Sequence, residues 1–147
     1  GAVCLDGTFV PLTRGGAQLV LAGVADPNGR APGSGPEKLV QAIRRAAPQA
    51  YILMLSHRND APEVWARLGV QTVLSGHGHG GLVYGRRFGG LVDRRLALRP
   101  RYVSGAYRSG GTTVVVSRGL GGVRLLCRAH LPVVTLRREN GQKVNNP

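Results

Sequence analysis

Lysine is almost absent from this 147-residue chain: Lys38 and Lys143 are the only two, and arginine supplies the rest of the 20 basic side chains. Acidic residues are scarce as well, 7 in all, which leaves a formal net charge of +13. The arginines are scattered, apart from a dense run at Arg86, Arg87, Arg94, Arg95, Arg99 and Arg101. A nucleic-acid binder gathers its charge into a stripe on one face, and single-strand binders stack bases on aromatic rings. Aromatic residues make up only 5% of this sequence. A basic nucleic-acid-binding module is therefore the weakest reading of the charge, and nucleic acid is not expected as a partner. The arginines are read mainly as solvated surface. Attraction of an anionic substrate by the dense run is the alternative.

Other absences narrow the field further. Cys4 and Cys127 are the only cysteines and form no CxxC, which disfavours a zinc ribbon and a disulfide framework. Two buried free thiols are expected, with one long-range bridge as the alternative. No apolar run approaches the roughly 18 residues of a membrane-spanning helix. No secretory signal pattern opens the chain, which begins at Gly1 rather than Met; it is read as a fragment, with any leader or anchor lying upstream. The segment DPNGRAPGSGP from Asp26 to Pro36 has glycines but no GK[ST], so it is not a phosphate-binding P-loop.

What is present fits a packed core, with 42% hydrophobic and 18% charged residues. A single domain over residues 1–147 is expected. Thr8–Leu12 and Gln18–Ala25 read as strands joined by a turn at Gly15-Gly16. Pro36 opens a helix to about Ala47, with Leu39, Val40 and Ile43 on one face. Tyr51–Leu55 is a continuous apolar run predicted to be a strand buried on both faces. Pro62–Leu68 is a short helix and Gln71–Ser75 a second buried strand. Strands alternating with helices indicate an α/β fold. Tyr102–Tyr107, Thr112–Ser117, Val123–Cys127 and Val133–Arg137 then read as short strands of a largely antiparallel sheet, which adds α+β character.

Three of the four histidines sit where a strand gives way to a loop. His57 follows YILMLS, and His77 and His79 follow TVLS within Gly76-His77-Gly78-His79-Gly80-Gly81. Adjacent parallel strands bring such loops to the same carboxyl edge, where open α/β sheets place their ligands. Neutral imidazole is the commonest side-chain ligand for zinc, iron and similar ions. His57, His77 and His79 are therefore the candidate metal ligands. His130 has no such company and receives no role. Asp60 is read first as a helix N-cap and second as a carboxylate orienting an imidazole. Asp26, at the end of an apolar strand, is a weaker candidate.

These residues resemble a known family. Ser56-His57-Arg58-Asn59-Asp60 followed by SGHGHGG at 75–81 is similar to the carboxyl-terminal half of calcineurin-like metallophosphoesterases. YVSGAY at 102–107, GGTT at 110–113 and VSRGLG at 116–121 resemble its bacterial branch, which includes enzymes similar to UDP-2,3-diacylglucosamine pyrophosphatases. LAGVAD at 21–26 resembles the strand before the histidine half, so the resemblance runs over about residues 17–138. It implies part of a sandwich of mixed β-sheets flanked by helices, with the amino-terminal half of that domain missing. It also implies a dinuclear centre of two divalent ions (manganese, zinc or iron), with His57 and His77 on one ion and His79 on the other.

The implied activity is hydrolysis of a phosphomonoester, phosphodiester or pyrophosphate bond. The implied partner is an anionic phosphate-containing substrate, such as a lipid-linked or nucleotide diphosphate. Arg118, in the VSRGLG segment, is read as supporting its loop or as approaching that substrate. The family's Asp-x-His, Gly-Asp and Gly-Asn-His do not occur here, so the general acid has no counterpart. Gly78, Asn59 and Leu82 stand where relatives usually carry Thr, Pro and Gln. The competing reading is a non-catalytic metal-binding half-domain.

Overall fold

The computed structural model describes residues 1–26, 35–59, 62–81, 83–85, 89–92, 98, 101–121 and 127–137. The expectations for Asp60, Leu82, most of the arginine run and nearly all of Val123–Cys127 fall outside these residues.

The chain is α/β. Its strands are β1 (Thr8–Arg14), β2 (Ala17–Val24), β3 (Tyr51–Ser56), β4 (Thr72–Ser75), β5 (Val83–Gly85), β6 (Gly89–Val92), β7 (Gly105–Ser109) and β8 (Thr112–Val116). Its helices are α1 (Pro36–Ala46) and α2 (Pro62–Arg67). Among the described residues a six-stranded mixed sheet runs in the order β1-β2-β3-β4-β8-β7, and β5 and β6 form a separate two-stranded sheet. No helix among the described residues is long and apolar enough to cross a membrane.

Local chemistry explains the elements. Gly15 and Gly16 turn β1 into β2 at φ of 55° and 75°, the left-handed values a tight two-residue hairpin turn demands. Helix α1 begins with proline in its first turn, carries Glu37 there and ends with Arg44 and Arg45, each charge matching the helix dipole. Arg44 then donates to the carbonyls of Ala50 (2.8 Å) and Gly69 (2.9 Å), fastening the helix end to the starts of two strands.

The parallel core is β2-β3-β4-β8, aligned by pairs such as Ala22 with Met54, Met54 with Val73 and Val73 with Val114. These residues face α1 and α2, and with Leu39, Ile43 and Trp65 they form one buried cluster. Each such aliphatic side chain contributes about 1.5–3 kcal/mol through burial.

Some expectations are corrected. Strand β3 is not buried on both faces: Ile52, Met54 and Ser56 are buried, whereas Tyr51 and Leu55 are each 37% exposed. Helices cover one face of the sheet and leave the other half-exposed. Val133–Arg137 is not a strand, and Val133 is 90% exposed. The segment, though rich in Val and Leu, finds no ladder partner among the described residues. The hairpin of β5 and β6 escaped sequence reading because glycine and arginine obscure its pattern. The cysteines are free thiols, as expected, but not buried: Cys4 is exposed and Cys127 half-buried.

Candidate metal centre

The parallel pairing sets the site. Val24 lies beside Ser56 and Ser56 beside Ser75, so β2, β3 and β4 end level with one another. Asp26, His57 and His77 follow these three strand ends. The loops are tied together: the Gly76 amide donates to the His57 carbonyl (3.3 Å), and the Ser117 amide to the Ser75 carbonyl (2.8 Å).

His77 Nδ1 lies 2.8 Å from His57 Nε2, and the Asp26 carboxylate lies 3.4 Å from the same His57 nitrogen. One ligand atom from each of the three residues falls within 4.8 Å of the others. The 2.8 Å spacing is that of an N–H···N hydrogen bond between the two imidazoles, and with the carboxylate it gathers three donor groups at one point. Two imidazoles and a carboxylate suit zinc, iron or manganese. The residues present therefore fit a divalent metal. His57 is 51% exposed and Asp26 26%, which leaves the cluster open to solvent.

The loop of His77 and His79 is built from left-handed residues. His77 has φ of 63° and His79 of 51°, values uncommon for residues with a Cβ. Amides of Gly78 and Gly81 donate back to the carbonyls of Gly76 and Gly78, each at 2.7 Å. A Cβ at Gly78 would stand 3.2 Å from Asn59 Nδ2, and that same amide donates to the Tyr102 carbonyl at 2.6 Å. His79 lies apart from the three-residue cluster, with Nδ1 3.3 Å from the Gly121 carbonyl.

Arg118 stands behind this loop. One of its amino groups donates to the Ser104 hydroxyl (3.2 Å) and to the Tyr84 hydroxyl (3.3 Å), and its guanidinium carbon sits 4.9 Å from the Tyr84 ring centre. His130 supports the same turn: its ring Nδ1 accepts from the Arg118 amide at 3.3 Å. Burial, and secondarily the Arg118 charge, hold the His130 pKa below the usual histidine value. The Tyr102 phenol is pushed up by burial and by its hydrogen bond to Glu63.

Sequence reasoning ranked Asp26 low. It lies 31 positions before His57, and only the pairing of β2 with β3 brings the two together. Its sequence signals were a carboxylate ending an apolar strand and its place in LAGVAD at 21–26.

No protein-family model matches the chain, and no solved structure matches it significantly. One curated relative does: the uncharacterized metallophosphoesterase YkuE of Bacillus subtilis (strain 168) is 30% identical over 102 residues. The chain is similar to a metallophosphoesterase. The match covers 67% of this chain and 35% of the relative, so it spans about a third of the relative's length.

Proposed function

We propose that this chain is the metal-ligating part of a calcineurin-like metallophosphoesterase, a hydrolase acting on a phosphomonoester, phosphodiester or pyrophosphate. The observation that carries the reading is the convergence of Asp26, His57 and His77 at the ends of three adjacent parallel strands. Similarity to YkuE supports it. In this reading His57, His77 and Asp26 hold one divalent ion, and His79 reaches toward a second. Such ions, when bound, neutralise charge on phosphoryl oxygens and make water nucleophilic at neutral pH. The protein's own part is to gather the two imidazoles and the carboxylate at the strand ends and to leave the cluster open for an anionic substrate. The sandwich and the bacterial-branch likeness belong to the same proposal, with the rest of the domain covering the half-exposed sheet face.

The test is metal-dependent hydrolysis of bis(p-nitrophenyl) phosphate and p-nitrophenyl phosphate by the protein. His77→Ala is expected to lower manganese- or zinc-dependent turnover at least 100-fold, and Asp26→Asn roughly 10-fold, by analogy with the loss of metal ligands or their supports. Turnover unaffected by chelation would exclude the reading.

A second reading is a metal-binding half-domain without catalysis. It is favoured by the donor set: the cluster holds two imidazoles and one carboxylate, enough for a single ion, and His79 lies apart from it. Metal binding without any turnover would select it.

A further inference from the structure

The tertiary structure brings Arg118 against the histidine loop in a way neither its charge nor its place in the chain discloses. Gly80, between His79 and Gly81, has φ of 79°. A Cβ there would stand 2.7 Å from Arg118 Cδ, 2.9 Å from Cys127 Sγ and 3.1 Å from Arg118 Cγ, so the arginine stem, with the Cys127 thiol beside it, occupies the space a side chain would fill. On its other flank the loop meets the hairpin of β5 and β6: a Cβ at Gly81 would lie 2.6 Å from the Val92 carbonyl oxygen, and one at Gly90 would lie 2.7 Å from that of Gly80. The loop is therefore gripped between the Arg118 stem and this hairpin. Arg118 itself spans both sides, because it donates to Tyr84 on β5 and to Ser104 just before β7.

Four of the six residues from Gly76 to Gly81 are glycine. Glycine loses more conformational freedom on ordering than any other residue, so a loop of this composition holds two imidazoles in place only with outside restraint. We propose that Arg118 is a positioning residue that supplies this restraint, setting the backbone of His77–Gly81 so that the imidazoles meet a metal. This rests on the metal-binding reading above. It assigns the guanidinium to Tyr84 and Ser104, and the stem to Gly80, in place of contact with a phosphate group. The dependence is physical: a loop that loosens spreads the donor atoms, and metal affinity falls before any charge at the site has changed.

Three readouts test it on the intact protein: Co2+ affinity by visible absorption, exchange of the Gly81 amide (which donates to Gly78 at 2.7 Å), and binding of inorganic phosphate. Arg118→Ala is expected to weaken Co2+ binding about 10-fold, the range for residues that orient metal ligands, and to speed Gly81 exchange. Tyr84→Phe leaves every charge in place and is expected to move both readouts in the same direction by a smaller factor. It decides the matter if Arg118→Ala does not fold. Unchanged Co2+ affinity and exchange in both variants, with phosphate binding lost in Arg118→Ala, would overturn the proposal and make Arg118 an anion ligand. If the wild-type protein binds no Co2+, the metal reading fails by itself. Gly81 exchange then judges Arg118 alone, and an unchanged rate refutes its positioning role.

Discussion

The two faces of the six-stranded sheet are made from the same kinds of residue and meet different fates. On one, Val20, Ala22, Ile52, Met54, Val73, Val114 and Val116 are buried beneath α1 and α2. On the other, Leu21 pairs beside Leu53, Leu55 beside Leu74 and Leu74 beside Val115, yet none of these side chains is fully buried. Apolar content alone does not bury a strand face; a covering layer does. The covered face carries the stability of the fold, and the strand ends above it carry the candidate metal cluster. The half-exposed face is where further protein would add most.

Breaking the covered face should therefore produce the largest effect. Ile52→Ala removes a side chain of 0% exposure and is expected to cost about 2–5 kcal/mol. Leu55→Ala, on the other face of the same strand, is expected to cost about 1 kcal/mol or less. Urea unfolding of both variants checks the contrast, and equal losses would show that both faces are covered in solution.

Two glycines of similar conformation differ in what surrounds them. Gly80→Ala puts a Cβ against Arg118 and Cys127 Sγ at φ of 79° and should destabilise by about 1–3 kcal/mol. At Gly15, φ is 55° but the surrounding space is open, so Gly15→Ala should cost only the left-handed strain of about 1–2 kcal/mol. Thermal melting distinguishes them, and Gly80→Ala should also lower metal affinity while Gly15→Ala does not.

The smallest effect is one of pH. Because the folded pKa of His130 is lowered, chiefly by burial, the unfolded chain takes up its proton first as pH falls. Stability from this group is complete above the unfolded histidine pKa of about 6.5 and is lost as pH drops through the folded value. Urea midpoints measured from about pH 8 down to about pH 5 should decline, and His130→Gln should flatten part of that slope.

Much of this molecule was legible in its residues. The β1–β2 turn needed left-handed backbone, and Gly15-Gly16 announced it. Helix α1 was visible from Pro36 and the spacing of Leu39, Val40 and Ile43. The strands that end just before His57 and His77 were visible as apolar runs broken by polar loop residues, and the structure sets them side by side in parallel. Other parts misled. Val133–Arg137 has the composition of a strand but finds no ladder partner among the described residues, since pairing depends on a neighbour that composition does not disclose. The half-exposure of Tyr51 and Leu55 escaped for the same reason: burial depends on what lies above the sheet.

Local preferences placed α1, α2 and the strands β1–β4 and β8 to within a few residues, because hydrophobic period, proline, glycine and helix-end charges act over that range. The sequence by itself also put histidines at strand ends. Which groups meet depends on long-range pairing and packing. Asp26 reaches His57 through strand pairing, and Arg118 reaches Gly80 through the return of β8 to the side of β4. Such meetings are fixed by ladder register and packing across long stretches of chain, and no local preference encodes them.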